Sequence, residues 1–283
     1  VFGLKDVESL VMTETIGYDY DGEAGKRPVG ESTLPLVDSR PNMPMYGTAV
    51  LGNRLYGLGR GAAGSGPQYL RVFDISNPAS PNELSAVTTN YYGWWSGYIA
   101  VKDNVAMVEL SYPDGGPRFY DISNDKFEEL SVSSTVTDET VWGMYLHGNN
   151  LYVNRYGKGF RVIDVTDPKN PSLTADVDMT AFYDDINPCD IVANDSYIFV
   201  LDYSGGANTD FCSDYAILRV HSATSPYAEV AHFDFGEAER IALSGNYLFA
   251  ESCAKLKVYD VRDGTAIWEV YASDDPDYDY GSI

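Results

Sequence analysis

The hydrophobic positions of this chain fall into short runs that recur five times with the same boundaries. Each unit opens with a tight turn, usually Gly-Asn, that leads into an apolar strand. The turns are Gly52-Asn53, Asp103-Asn104, Gly148-Asn149, Asp195-Ser196 and Gly245-Asn246. Between them the strands alternate weakly or are continuously apolar, which is typical of strands that are covered on both faces.

About twenty residues after each turn a second apolar strand ends in Asp plus an aliphatic residue, or in His in the fourth unit. These strands cover residues 71–75, 118–122, 161–165, 218–221 and 257–261. Successive turns are 45 to 51 residues apart, and a pure strand pattern with this period is typical of β-propeller blades. No segment combines helical periodicity with capping residues over three turns.

We therefore expect an all-β fold, a single β-propeller of five four-stranded blades. The expected blade limits are about 45–90, 91–136, 137–181, 182–233 and 234–273. Residues 1–44 would supply a closing strand and an irregular segment that helps to close the ring, and 274–283 would form an acidic tail. The alternative has six blades, with 1–44 folded as an irregular blade.

The sequence of the repeat also resembles that of a known protein family. Residues 73–81 read FDISNPASP, residues 163–171 read IDVTDPKNP, and residues 243–249 read LSGNYLF. These segments resemble the LVIVD-type repeat of secreted and cell-surface propellers. The resemblance covers about residues 45 to 273. It is good in blades one, three and five, weaker in blade two and weakest in blade four, where His221 replaces the Asp. It implies an extracellular or cell-surface location and no particular reaction.

The charge of the chain narrows the range of partners. Asp and Glu number 42 against 19 Lys and Arg, giving a net charge of −23. Such a charge repels nucleic-acid phosphates and anionic membranes, so we expect no nucleic-acid partner. No stretch of about 18 apolar residues is present, so we expect no membrane span. The chain begins at Val1 without Met, which fits either removal of a signal peptide or a trimmed sequence.

Charged residues align where the blades would present their loops. In a propeller, the loops between second and third strands share one face with the blade-to-blade connections. At the start of the first strands stand Gly47, Tyr98, Gly143, Asp190 and Arg240. At the ends of the second strands stand Glu109, Arg155, Asp202 and Glu251. Convergent charges in a cleft predict a functional site, whereas the plainer alternative is a network of ion pairs that locks neighbouring blades.

Aromatic residues crowd the same predicted face. They are Tyr91, Tyr92, Trp94, Trp95, Trp142, Tyr156, Phe182, Tyr183 and Tyr203. Exposed aromatic planes stack on sugars and anchor protein partners. The alternative is that Trp94 and Trp95 fill the channel or pack between blades. The predicted binding residues are Tyr92, Trp94, Trp95, Glu109, Arg155, Asp202, Arg240 and Glu251.

Three functions fit this pattern. The first is a binding or scaffold protein for a partner protein or surface polymer. The second is a carbohydrate-active hydrolase or lyase that works at the same face. The third is a structural subunit of an extracellular, self-assembling structure. No Gly-x-Ser-x-Gly motif is present, and His147, His221 and His232 are the only imidazoles, so a general base would be a carboxylate or Tyr.

Two further sites are weaker predictions. Asp19, Asp21 and Glu23 space oxygen ligands at alternate residues around Gly22, as a calcium loop does, although a solvated acidic loop is the default interpretation. Cys189, Cys212 and Cys253 would fall on one face of the disc. We expect a Cys189–Cys212 disulfide with Cys253 free, with three reduced, packed thiols as the alternative.

Overall fold

The strands of the protein were located in a computed structural model. It describes residues 45–60, 67–78, 80–92, 97–110, 116–137, 141–180, 186–203, 216–236, 238, 240–251 and 256–272. Blade one contains β1 (Met45–Leu51), β2 (Arg54–Arg60), β3 (Pro67–Asp74) and β4 (Asn82–Tyr92). Blade two contains β5 (Ile99–Lys102), β6 (Val105–Leu110), β7 (Gly116–Asp121) and β8 (Glu128–Glu129).

The other three blades also consist of four strands each. Blade three contains β9 (Val141–His147), β10 (Asn150–Arg155), β11 (Gly159–Asp164) and β12 (Ser172–Asp178). Blade four contains β13 (Pro188–Ala193), β14 (Tyr197–Tyr203), β15 (Ala216–Ser222) and β16 (Glu229–Gly236). Blade five contains β17 (Arg240–Ser244), β18 (Tyr247–Glu251), β19 (Leu256–Asp263) and β20 (Ala266–Ala272).

Each blade is an antiparallel sheet in which the strands follow chain order. The first strands are innermost: β1 packs beside β5, β5 beside β9, β9 beside β13, and β13 beside β17. The prediction of an all-β, five-bladed propeller is therefore confirmed. The helix α1 (Ser134–Thr137) has four residues, and no helix within the described ranges is long and apolar enough to cross a membrane.

The backbone conformation of the hairpin between the first two strands of each blade explains the residue types found in its turn. Gly52, Gly148 and Gly245 have φ near +58°, and in blade two Asp103 and Asn104 have φ of 47° and 61°. Glycine and, at some cost, Asn or Asp accept this left-handed conformation. Blade four departs from the pattern. There Asn194 Oδ1 accepts hydrogen bonds from the amides of Ser196 and Tyr197, at 2.9 and 2.8 Å, so a side chain closes the turn.

The Asp that ends each third strand closes the next turn. Asp74, Asp121, Asp164 and Asp260 each accept the amide two residues later, at distances between 2.8 and 3.1 Å. This is an Asx turn, and it explains why the repeat keeps Asp there. In blade four the buried His221 replaces the Asp, and its Nδ1 lies 3.0 Å from the carbonyl oxygen of Tyr227. The edge of the His221 ring packs on Phe160 of blade three.

The core consists of apolar layers between neighbouring blades. One layer joins blades one and two through Leu58 and Val108, and another joins blades two and three through Met107 and Val153. Further layers join blades three and four, and blades four and five. The middle strands β6, β10 and β14 are buried over nearly their whole length, which accounts for their continuously apolar sequence.

Candidate binding face at the channel mouth

The first strands bring five positions to one level of the central channel, and two of the five are glycine. A Cβ on Gly47 would lie 1.9 Å from the carbonyl oxygen of Gly97, in the segment that leads into β5. A Cβ on Gly143 would lie 3.2 Å from the Cα of Asp190 and 2.9 Å from Nδ2 of Asn154. Glycine is required because neighbouring blades approach too closely there for a side chain.

The other three positions of this level carry side chains that meet across the channel. The Tyr98 hydroxyl of blade two donates to Oδ1 of Asp190 in blade four, at 3.0 Å. The guanidinium carbon of Arg240 in blade five lies 5.8 Å from the centre of the Tyr98 ring, within cation–π range. The other Asp190 oxygen accepts the backbone amide of Ile241, at 2.9 Å. The group thus links three blades.

Burial controls the electrostatics of this group. Burial raises the pKa of Asp190, against the lowering effects of the Ile241 amide and Arg240. Burial and the adjacent Asp190 raise the pKa of Tyr98 well above its usual value, so this phenol stays a hydrogen-bond donor. The pKa of Arg240 is raised, with Tyr98 as the largest cause and Asp190, Glu251 and Glu109 contributing. The cation at the mouth is therefore permanent.

The ends of the second strands form the next level. They carry Leu58, Glu109, Asn154, Leu201 and Glu251, of which all but Glu251 are fully buried. The amide of Glu109 donates to the carbonyl of Tyr98, at 2.9 Å. Among the described residues, neither Nδ2 nor Oδ1 of Asn154 has a hydrogen-bond partner. A buried amide without a partner is costly, so Asn154 is the exception at this level.

Two of the predicted binding residues turn away from the mouth, into ion pairs within their own blades. Asp202 accepts from Nε of Arg219 at 2.6 Å and from the amide of Asn187 at 2.7 Å. Arg155 donates to Asp176 of β12, with Nη1 and Oδ2 3.3 Å apart. Glu109, Arg240 and Glu251 stay together around the channel. The structure thus separates the aligned charges into a central group and two intra-blade pairs.

The aromatic part of the prediction lies mostly outside the described residues. This applies to Trp94 and Trp95 and to the side chain of Tyr92, whose backbone pairs with Pro67. Blade three supplies a described aromatic pair: the rings of Trp142 and Tyr156 lie 4.6 Å apart between centroids, and Tyr156 is 52% exposed. Sequence alignment of the blades placed both on this face without selecting them as binding residues.

The metal and disulfide predictions remain predictions. Asp19, Asp21 and Glu23 lie outside the described residues, and those that are described contain no cluster of three or more His, Cys, Asp or Glu side chains that could hold a metal ion. Cys189 is a free cysteine in the described part of the chain, and its thiol donates to the Leu201 carbonyl at 3.3 Å. Burial raises the pKa of this thiol well above its usual value. Its proposed partner Cys212, like Cys253, lies outside the described ranges.

Comparison with known proteins agrees with the repeat pattern. The LVIVD repeat family model matches residues 65–89, 140–179 and 235–270. These stretches fall in blades one, three and five, the three whose sequences resemble the repeat well. A comparison with curated protein sequences finds no match.

Several solved structures share the fold. A protein from Lactobacillus plantarum is 15% identical, with a TM-score of 0.57 over 82% of this chain and 72% of its own. A hypothetical selenium-binding protein from Sulfolobus tokodaii is 9% identical (TM-score 0.53, 86% of this chain, 62% of its own). A structure of S. cerevisiae Dbp5 bound to Nup159, Gle1, IP6 and ADP contains a chain that is 10% identical (TM-score 0.51, 82% and 61%). The chain thus spans less than two thirds of the length of the last two, and identities this low show the fold alone.

Proposed function

We propose that this LVIVD-repeat β-propeller is an extracellular binding or scaffold protein that recognises a partner protein through its channel mouth. The observation that carries the proposal is the exposed Tyr156 ring, which contacts the Trp142 ring at a 38° tilt, at the same end of the blades as Arg240 and Glu251. A large aromatic plane with few rotatable bonds, next to fixed charges, has the composition of a protein-binding hot spot.

The cluster of Tyr98, Asp190 and Arg240 favours recognition of a partner at the surface over passage of a ligand through the ring. Tyr98 reaches across the channel to Asp190, and Arg240 lies against its ring. Because these side chains are held by hydrogen bonds and burial, the mouth presents a preorganised surface, which reduces the entropy lost on binding. A chain of similar fold is present in the structure of Dbp5 bound to Nup159 and Gle1, so the fold is compatible with a protein as the partner.

The charge of the chain supports a partner with a basic surface. A net charge of −23 attracts Lys- and Arg-rich surfaces over long range and speeds their association. The association rate should therefore fall steeply with ionic strength, while the dissociation rate, set by contacts such as Tyr156, should change little.

The experiment is a binding screen with matched variants. Wild type, Tyr156→Ala and Tyr247→Ala would be compared on arrays of extracellular proteins and of glycans. Tyr247 is similarly exposed but lies beside the Gly245-Asn246 turn, at the opposite end of the blade. We expect protein ligands that wild type and Tyr247→Ala bind equally and that Tyr156→Ala binds at least tenfold more weakly. Equal binding by all three would contradict the proposed face, and binding to glycans alone would replace the protein partner with a polymer.

One observation keeps a carbohydrate-active enzyme as the second candidate. Glu109 and Glu251 both contribute to raising the pKa of Arg240, so two carboxylates interact with the same guanidinium group at the channel mouth. One is buried and the other exposed, and glycoside hydrolysis uses two carboxyl groups in unlike environments. Cleavage of a glycan by wild type that is lost in Glu109→Gln, with folding retained, would favour the enzyme over the binding protein.

A further inference from the structure

Blade four contains a carboxylate partner for each of the three histidines in the chain. His147 of blade three reaches Asp195 in the first hairpin of blade four, with Nε2 and Oδ1 2.8 Å apart. His221 on β15 and His232 on β16 both face Glu229. Imidazole is the side chain whose ordinary pKa lies between pH 5 and 8, so the groups that take up protons in mild acid are concentrated at this blade.

The buried His221 differs from the other two because one of its ring nitrogens lacks a donor. Its Nδ1 lies 3.0 Å from the carbonyl oxygen of Tyr227. A carbonyl can only accept, so we assign the proton of the neutral ring to Nδ1. The lone pair is then on Nε2, which has no hydrogen-bond partner among the described residues. Oε2 of Glu229 lies 3.9 Å from Nε2, beyond hydrogen-bond distance.

Glu229 is engaged with other groups. Its Oε1 accepts from Nδ1 of His232 at 3.0 Å, and its Oε2 lies 3.6 Å from Nη1 of Arg219. The groups that face the His221 ring are thus Glu229, Arg219 and, from blade three, the uncharged Phe160. Burial lowers the pKa of His221, and Arg219 acts in the same direction, against the backbone hydrogen bond and Glu229.

We propose that His221 is a pH-sensitive switch that loosens blade four in mild acid. A proton on the buried Nε2 places a positive charge near Arg219 without a carboxylate at hydrogen-bond distance. Separation of β15 from β16 admits water to the ring, so acid favours the open form of the blade. A histidine whose pKa is lowered in the closed form stabilises that form above about pH 6.5, and the contribution is lost as pH falls below this value. The opening equilibrium can therefore rise at most about 30-fold between pH 7.5 and 5.0.

Other titrating groups at this blade do not produce the same response. Burial raises the pKa of Asp190, so its uptake of a proton stabilises the closed blade as pH falls. Protonation of His147 and His232 adds charge to their existing contacts with carboxylates, at side chains that are 35% and 61% exposed. A loosening of blade four in mild acid is therefore the signature of His221.

Hydrogen exchange followed by mass spectrometry at pH 7.5 and 5.0, corrected for intrinsic exchange rates, tests the switch. In wild type we expect the protection of β15 and β16 to fall at least tenfold at pH 5.0, while that of β10 and β11 in blade three changes less than threefold. An equal fall in both blades would overturn the proposal.

Two variants of blade four identify the residue responsible. In His221→Asn the amide nitrogen takes the place of Nδ1 and keeps a donor for the Tyr227 carbonyl, but the side chain does not titrate. Its blade four should change less than threefold between the two pH values, whereas the matched variant His232→Gln should respond as wild type does. A tenfold fall in His221→Asn would overturn the proposal, and loss of the response in His232→Gln would assign the effect to the surface pair instead.

An NMR titration of the imidazole signals of wild type keeps the test independent of whether His221→Asn folds. His147→Gln and His232→Gln assign the three signals. We expect the His221 signal to titrate below pH 6.5, the ordinary value for histidine, over the same range in which β15 and β16 lose protection. A His221 midpoint at or above pH 6.5 would overturn the proposal, because burial would then not oppose uptake of the proton.

Discussion

The ion pair inside blade four gives the most direct test of the energetics. Asp202 is fully buried and Arg219 is 2% exposed, with 2.6 Å between Oδ2 and Nε. Asp202→Asn keeps the shape and retains an oxygen for the Asn187 amide, but it leaves the Arg219 cation facing a neutral group. Breaking a buried pair on one side costs about 3–5 kcal/mol. Because Oε2 of Glu229 lies 3.6 Å from Nη1 of Arg219 and compensates part of the remaining charge, we expect the lower end of this range. For a domain of this size that corresponds to a fall in Tm of roughly 10 °C.

Thermal unfolding followed by circular dichroism measures the effect, with Asp103→Asn as the matched control. Asp103 is an exposed turn residue at φ 47°, a conformation that Asn also accepts, so the same chemical change should alter stability by about 0.5 kcal/mol or less. The double variant Asp202→Leu, Arg219→Met should lose less than Asp202→Asn alone, since it removes the buried cation along with its partner. Glu229, which also faces Arg219, is 20% exposed and keeps its contact with His232. A Tm for Asp202→Asn within 2 °C of the control (under about 1 kcal/mol) would refute the reasoning.

Three further predictions concern single positions. Asn154→Leu should raise the free energy of unfolding by about 1 kcal/mol, because it removes a buried amide that has no hydrogen-bond partner among the described residues; a loss of stability in urea denaturation would show that the amide has a partner. Gly47→Ala should cost about 1–3 kcal/mol through backbone overlap, while Gly148→Asn, in open space at φ 58°, should cost less than about 1 kcal/mol. The Thr166 hydrogen bonds lower the pKa of Asp164. This residue therefore stabilises the fold above about pH 4, the unfolded value, and the contribution is lost as pH falls toward the folded pKa. The pH profile of Tm for Asp164→Asn should accordingly be flatter below pH 4 than that of wild type.

The repeat made the fold predictable because each of its residues has a local backbone role. Gly or Asn is needed where φ is positive, and Asp is needed where a carboxylate closes the turn after the third strand. These requirements depend on three or four consecutive residues, so a single sequence displays them. Blade four is the exception that the same rule explains: its turn is closed by Asn194, one residue before the turn that the pattern marked.

The site was less predictable because alignment gives the level of a residue but not the direction of its side chain. Arg155 and Asp202 stand one position beyond the level of Glu109 and Glu251 in the aligned strands, and they pair with Asp176 and Arg219 of their own blades. Tyr98 and Asp190 stood in the aligned positions, but nothing in the sequence shows that a phenol from blade two reaches blade four. That contact depends on the diameter of the ring, which is a property of all the blades together.

The contact between Tyr98, Asp190 and Arg240 also fixes the number of units in the protein. Its members come from blades two, four and five, and the two ends of the Tyr98–Asp190 hydrogen bond are separated by 92 residues. Gain or loss of one repeat between them, the usual way in which such chains lengthen or shorten, would change the angle between these blades and part the three side chains. The buried carboxyl group of Asp190 would then lose the Tyr98 hydroxyl as a donor and keep only backbone amides. We therefore expect duplication or deletion of a whole blade to be far less tolerated here than in an open array of repeats, where each unit contacts only its neighbours.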